Sequence, residues 1–311
     1  MTGIFVALLP VFIVILAGAA LRRFNVIGEA QWLGLDQICY FVLFPAIIFK
    51  EIAVADFSNV PVFAMAAGMM LAVSLMIGVL VLFHRPVMAL LGIDGPQFTS
   101  LVQGASRWHT FIVFAIVPLQ FGAGALPLAA VGAATMTPLL NILCVLVMVC
   151  FARDAAISAR QLFLSILRNP FVFSSLGGVA WQLSGLELPA MALQVLDMIG
   201  RGALGLALLT VGAGLRLGEA VSKWPPVAAA VVLKLLVMPV LMGGILTMLG
   251  VSGVPLAVAL LCAAVPTGSG SYVLARQMGG DAPMVANMLT LQVIVSVLTI
   301  PLVLYIAGVA R

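Results

Sequence analysis

The sequence predicts an all-α polytopic membrane protein, with ten transmembrane helices arranged as two inverted five-helix repeats. Hydrophobic residues make up 64% of the 311 positions and charged residues only 8%, too little polarity to clothe a soluble domain. The apolar stretches recur at the length that crosses a bilayer, about 20 residues. Two of them, the fourth and the ninth, are interrupted at corresponding places, by Gln103-Gly104-Ala105-Ser106-Arg107-Trp108-His109-Thr110 and by Cys262-Ala263-Ala264-Val265-Pro266-Thr267-Gly268-Ser269-Gly270-Ser271. Paired interruptions in two halves of a membrane chain point to a transport site.

Span one covers 4–21. Ala17-Gly18-Ala19 resembles a signal-peptide cleavage site, but no Lys or Arg precedes the apolar run and Arg22-Arg23 follow it, so the span is expected to be retained. Span two, 34–53, carries Asp36 at one end and Lys50-Glu51, an expected interface anchor, at the other; span three is 60–83. Span four, 98–120, holds the first interruption. Span five, 126–151, has a polar kink of Thr135, Thr137, Pro138 and Asn141, either lining a path or joining helices. The polar stretch 153–169 follows, with Asp154, Ser158, Gln161, Ser165 and Arg168 at helical steps and apolar residues largely opposite. That pattern predicts an interfacial helix. Span six, 170–185, is short, and span seven, 188–215, is long enough to tilt. Span eight is 226–249, span nine is 254–277 with the second interruption, and span ten, 283–308, carries Asn287, Gln292 and Ser296.

The connector divides the chain into a first repeat, 1–152, the connector itself, 153–169, and a second repeat, 170–311. Five spans per half make the second half enter the membrane from the opposite side. An offset of 157 brings His109 onto Pro266, Thr110 onto Thr267 and Gly122 onto Gly279. An offset of 161 brings Leu35-Asp36-Gln37-Ile38 onto Leu196-Asp197-Met198-Ile199. With the N-terminus outside, Arg22, Arg23, Arg85, Arg153, Arg160, Arg168, Arg216, Lys223 and Arg276 fall on the cytoplasmic side and only Lys50 and Arg311 outside. That bias places both termini outside.

The net charge of +4 is spread singly between apolar spans, which excludes a nucleic-acid patch. Cys39, Cys144, Cys150 and Cys262 lie in apolar segments without metal or redox spacing and read as small core residues. No GxxxxGK[ST] loop, HExxH pair or nucleophile–base arrangement is present, so the chain is expected to be no enzyme and to use no cofactor or metal.

An ionisable group inside a span costs several kcal/mol unless it meets a cavity or a partner. Arg107, near mid-depth, is either clamped by Asp36 or Asp197 or forms the cationic wall of an anion site. His109 is a satisfied core residue, a carboxylate ligand or a proton carrier. Gln103, Ser106 and Thr110 offer further donors, to a substrate or to carbonyls freed by the break. Pro266 cannot continue a helix, and Thr267, Ser269 and Ser271 with their glycines favour an unwound segment whose free N–H groups suit an anion; a packing kink is the alternative. For coupling or gating, Asp36, Asp197, Arg201, Lys234 and Asn141 are candidates. Lys234 is equally explained by snorkelling, Asp36 by a cap, and Asp197 with Arg201, four residues on, by a self-neutralising pair.

Leu43-Phe44-Pro45-Ala46-Ile47-Ile48-Phe49-Lys50, Gln103-Gly104-Ala105-Ser106-Arg107 and Leu298-Thr299-Ile300-Pro301-Leu302 resemble the auxin efflux carrier family, whose bacterial members are often labelled malonate or dicarboxylate transporters. The resemblance covers the whole chain. It implies a fold akin to bile-acid sodium symporters and sodium/proton antiporters, in which spans 1, 2, 6 and 7 form a scaffold for a transport domain of spans 3–5 and 8–10. Spans four and nine would cross where they unwind, with Arg107, His109, Thr110, Pro266 and Thr267 at the crossover and an elevator movement carrying a small organic carboxylate. Relatives often have asparagine at the position of His109, plant carriers have proline at this first crossover, and the long hydrophilic loop of plant exporters is missing.

The sequence therefore predicts a secondary carrier for a small organic anion in the plasma membrane, in bacteria the inner membrane. Arg107 and the helix ends would neutralise a carboxylate, and Thr110, Thr267 and Ser269 would orient it. The expected partners are the anion, the bilayer and, as a candidate, a second copy of the chain. A sodium-coupled symporter of the bile-acid class is the alternative, and a channel a weaker one.

Overall fold

The structure is a computed structural model that describes residues 2–57, 61–152, 170–215 and 224–308. The interfacial helix expected over 153–169 lies outside the described residues, as do Arg216 and Lys223. Among the described residues the fold is all-α, without strands.

The first half runs α1 (Thr2–Arg23), α2 (Glu29–Ile38), α3 (Phe44–Ala53), α4 (Val62–Leu82), α5 (His84–Leu91), α6 (Gly95–Ser106), α7 (Thr110–Phe121) and α8 (Leu126–Phe151). The second runs α9 (Pro170–Ser184), α10 (Ala190–Ala213), α11 (Trp224–Val232), α12 (Met238–Met248), α13 (Gly253–Ala264), α14 (Gly270–Gln277) and α15 (Ala282–Ile306). Helix stands on each of the ten expected spans. Among the described residues, six continuous segments are long and apolar enough to cross a membrane: Glu29–Ala53, Val62–Leu82, Ala123–Phe151, Ala190–Ala213, Trp224–Met248 and Ala282–Ile306. Spans four and nine fall short because each is two helices. The short α5, in a segment expected to be loop, ends on Gly92 in the left-handed region (φ 62°), and Asp94 then caps α6 by accepting from the Gln97 backbone N–H at 3.1 Å.

Two π-helical turns have a local cause. Cys39–Leu43 joins α2 to α3 and Leu233–Val237 joins α11 to α12. Each ends two residues before a proline, Pro45 or Pro239. The ring removes one N–H and crowds the carbonyl a turn earlier, and a wider turn relieves the crowding.

Helix packing sorts the elements into two groups that meet through α7 and α8. In the first, α1 lies along α10 and α9 along α3. A Cβ on Gly212 would stand 1.8 Å from the Ile15 carbonyl oxygen, and one on Gly18 2.1 Å from that of Leu209, so the α1–α10 backbones touch through these glycines. The second group holds α4, α6, α8, α11, α12, α13 and α15. At the end of α3, Lys50 Nζ meets Asp197 Oδ1 at 2.6 Å and Glu51 Oε1 at 3.3 Å. Lys50 thus ties α3 to α10 with Glu51 beside it, and the expected Asp197–Arg201 pair does not form; Arg201 is exposed. Lys234 does not snorkel either: it is fully buried, and its Nζ has no hydrogen-bond partner. Cys150 is exposed, unlike the other three cysteines.

Candidate functional site

Both interruptions are breaks in the helix. α6 ends at Ser106 and Arg107 is extended (φ −70°, ψ 158°); α13 ends at Ala264 and Val265 takes almost the same conformation (φ −70°, ψ 153°). The offset between the helix ends is 158 (264 − 106), one more than the sequence register of 157, and the second break is longer, running to Ser269 where the first runs to His109.

The two breaks touch. A Cβ on Gly268 would lie 2.7 Å from the Trp108 carbonyl oxygen, so only glycine permits this approach. Thr267 donates its hydroxyl to the Gly104 carbonyl at 2.8 Å and its backbone N–H to Gln292 Oε1 at 2.8 Å. Gln292 Nε2 returns to Gly104 O at 2.8 Å and reaches Ala230 O at 3.3 Å. A carbonyl left over by the end of α6 is thereby satisfied from α15 and from the second break.

A cavity of about 850 Å³ lies at this junction. Three helical stripes wall it: Leu33, Asp36, Gln37 and Tyr40 of α2 and its π-turn; Thr137, Leu140, Asn141 and Val145 of α8; and Gly270, Val273, Leu274 and Gln277 of α14. The breaks add Arg107 to Phe111 and Gly268 with Ser269. The helix starts at Thr110 and Gly270 are on the wall, while Gly104–Ser106 and Cys262–Val265 are not. The positive ends of α7 and α14 therefore border the space.

Arg107 Nη2 donates to Asn141 Oδ1 at 2.8 Å, and Nη1 is buried without a partner. Neither Asp36 nor Asp197 clamps it: Asp197 is paired with Lys50, and the Arg107 guanidinium is held by Asn141. His109 is 3% exposed, its ring 5.5 Å from Phe111, and its Nε2 has no partner. Thr137 Oγ1 is a third buried cavity-wall atom in that condition. A polar atom withdrawn from water without a partner costs about 1–3 kcal/mol, and three such atoms belong to residues that line this cavity.

Of the residues expected to meet substrate, Arg107, His109, Thr110 and Ser269 are on the cavity wall, as are Asp36 and Asn141. Gln103, Ser106, Pro266, Thr267 and Ser271 are buried behind it. Thr267 is committed to Gly104, Ser106 returns its hydroxyl to Val102 O at 2.6 Å, and Gln103 Nε2 faces Met148 Sδ at 3.6 Å. Tyr40, Gln37 and Gln277 line the cavity and were not expected to; the spacing of Gln37 and Tyr40 from Asp36 on one helical face was the available signal. A second cavity of about 170 Å³ adjoins, with Asp36, His109 and Ser269 lining both.

The family model described as "Membrane transport protein" matches residues 153–304, a stretch that contains the second break. Two proteins of Oryza sativa subsp. japonica, "Probable auxin efflux carrier component 1b" and "Probable auxin efflux carrier component 1d", are each 29% identical over 123 residues. Each match covers 36% of this chain and 21% of the relative, so the shared stretch spans about a fifth of those proteins' length.

Proposed function

We propose that this chain of the auxin efflux carrier family is an integral membrane transporter and, more closely, a secondary active carrier for a small organic anion, a mono- or dicarboxylate. The observation that carries this reading is the cavity at the junction of the breaks, lined by Arg107, His109 and Thr137, each of which also holds a buried atom without a partner (Nη1, Nε2 and Oγ1). The negative end of α6 is occupied by Thr267 and Gln292, while the positive ends of α7 and α14 face the cavity. Helix N-termini and a guanidinium together favour a negative guest. Arg107 holds the carboxylate, and Thr110, Thr137, Ser269 and His109 orient it.

Two inverted repeats crossing at the breaks account for the matched backbone at Arg107 and Val265. The α1, α3, α9 and α10 group is the scaffold, and the group containing both breaks moves against it in an elevator-type alternation. The protein resides in the bacterial inner membrane with both termini outside, a placement that rests on the charge bias of the loops.

Arg107→Ala tests the site. Purified protein should lose carboxylate binding in calorimetry while keeping its gel-filtration profile and melting midpoint within a few degrees. Wild-type affinity in that variant removes Arg107 from the site.

A further inference from the structure

We propose that the cavity takes a carboxylate bearing a hydrogen-bond donor at its other end, a hydroxy or amino carboxylate, and discriminates against a dicarboxylate of the same length. The proposal rests on the anion-carrier reading above and adds Asp36 to the substrate contacts.

Among the described residues, two side chains of formal charge line the large cavity, and their signs are opposite: Arg107 from the first break and Asp36 from α2. They are not joined as an ion pair. Arg107 is held by Asn141 and keeps Nη1 without a partner. Asp36 shares its helix face with Gln37 and Tyr40, so the α2 wall is polar where it meets the cavity. Arg22 and Glu29 line the smaller cavity on the other side of Asp36, and Thr210 there hydrogen-bonds the Asp36 side chain, which leaves carboxylate lone pairs for a guest. Arg22 is engaged there by Glu29 at 3.6 Å and by the Ala213 carbonyl, so its charge is not spent on Asp36.

The hydroxyls and amides of Thr110, Thr137, Asn141, Ser269 and Gln277 can donate or accept, and so select weakly between ligand end groups. An ionised Asp36 only accepts. A substrate carboxylate on Arg107 directs the rest of the molecule into a space whose other formal charge is negative. A second carboxylate meets like charge in surroundings of low dielectric. A hydroxyl or ammonium in the same place donates to Asp36. Sites built around a buried hydrogen-bonding group reject analogues that lack the matching atom far more strongly than apolar pockets reject a changed methylene.

The test is calorimetric binding to the full chain in lipid nanodiscs, with two series of matched length. One comprises malonate, 3-hydroxypropanoate, 3-aminopropanoate and propanoate; the other comprises glutarate and the corresponding five-carbon acids. In at least one series a donor-bearing acid should bind about tenfold or more tightly than both the diacid and the plain acid. Asp36→Asn should shrink that preference to about threefold or less and strengthen diacid binding, while Asp36→Glu should keep the wild-type order. Equal or tighter diacid binding by the wild type overturns the proposal, as does an unchanged ratio in well-behaved Asp36→Asn protein. If carboxylates bind and Arg107→Ala abolishes it while Asp36→Asn changes nothing, only the role of Asp36 falls. If none of the eight acids binds the wild type, the carrier reading falls with it.

Discussion

Gly104 O receives the Thr267 hydroxyl and the Gln292 amide, each at 2.8 Å, while Gln292 Oε1 takes the buried Thr267 N–H. The loads on these side chains are unequal. Thr267→Val removes one donor but leaves Gly104 O bonded to Gln292, and should cost about 1 kcal/mol. Gln292→Leu strips the partner from a buried backbone N–H, and should cost about 1–3 kcal/mol more. The melting midpoints of the two variants and their double mutant check the order, and the double mutant should exceed the sum, because Gly104 O keeps one donor in each single variant and loses both only in the double. The same commitment places the Thr267 hydroxyl behind the cavity wall, where it holds the breaks together.

Among the elements, α1 and α10 approach until their backbones touch, and the glycines at their crossing set the distance. Gly212→Ala would drive a Cβ to 1.8 Å from the Ile15 carbonyl oxygen, a backbone atom that cannot swing aside. It should cost about 3 kcal/mol or more, because an overpacked helix crossing must separate. Gly244→Ala in α12 is the control: nothing lies within 4 Å of its added Cβ, and it should gain about 0.5–1 kcal/mol from the better helix former. Thermal unfolding of both variants in one detergent reads the contrast. A Gly212→Ala protein as stable as wild type would mean that α1 packs elsewhere.

At the scale of the whole molecule, the large cavity lies at the junction of the two breaks, and polar side chains from both breaks, α2, α8 and α14 line it. Asp36, His109 and Ser269 line both the 850 Å³ and the 170 Å³ cavities and stand between them. A carrier with one occupied site saturates, whereas an open pore conducts in proportion to concentration. Proteoliposomes should therefore take up a labelled small carboxylate along a hyperbolic curve, and planar bilayers containing the protein should show no unitary current steps. Linear uptake accompanied by such steps would turn the assignment to a channel.

The sequence by itself determined the membrane class, the helical segments and the positions of both breaks, because each depends on nearby residues. Bilayer length, a proline with its following glycines, and an arginine at depth are visible within 20 residues or so of chain. Tertiary structure decided which polar groups face the cavity. Inside a break the 3.6-residue periodicity no longer says where a side chain points, so Thr110 and Thr267 looked equivalent. Gln292, 25 residues beyond Thr267, turns one of them inward. Partner choice across the fold was hidden for the same reason. Asp197 has Arg201 one turn away, yet its partner is Lys50, 147 positions earlier (197 − 50), brought near by α3 lying against α10.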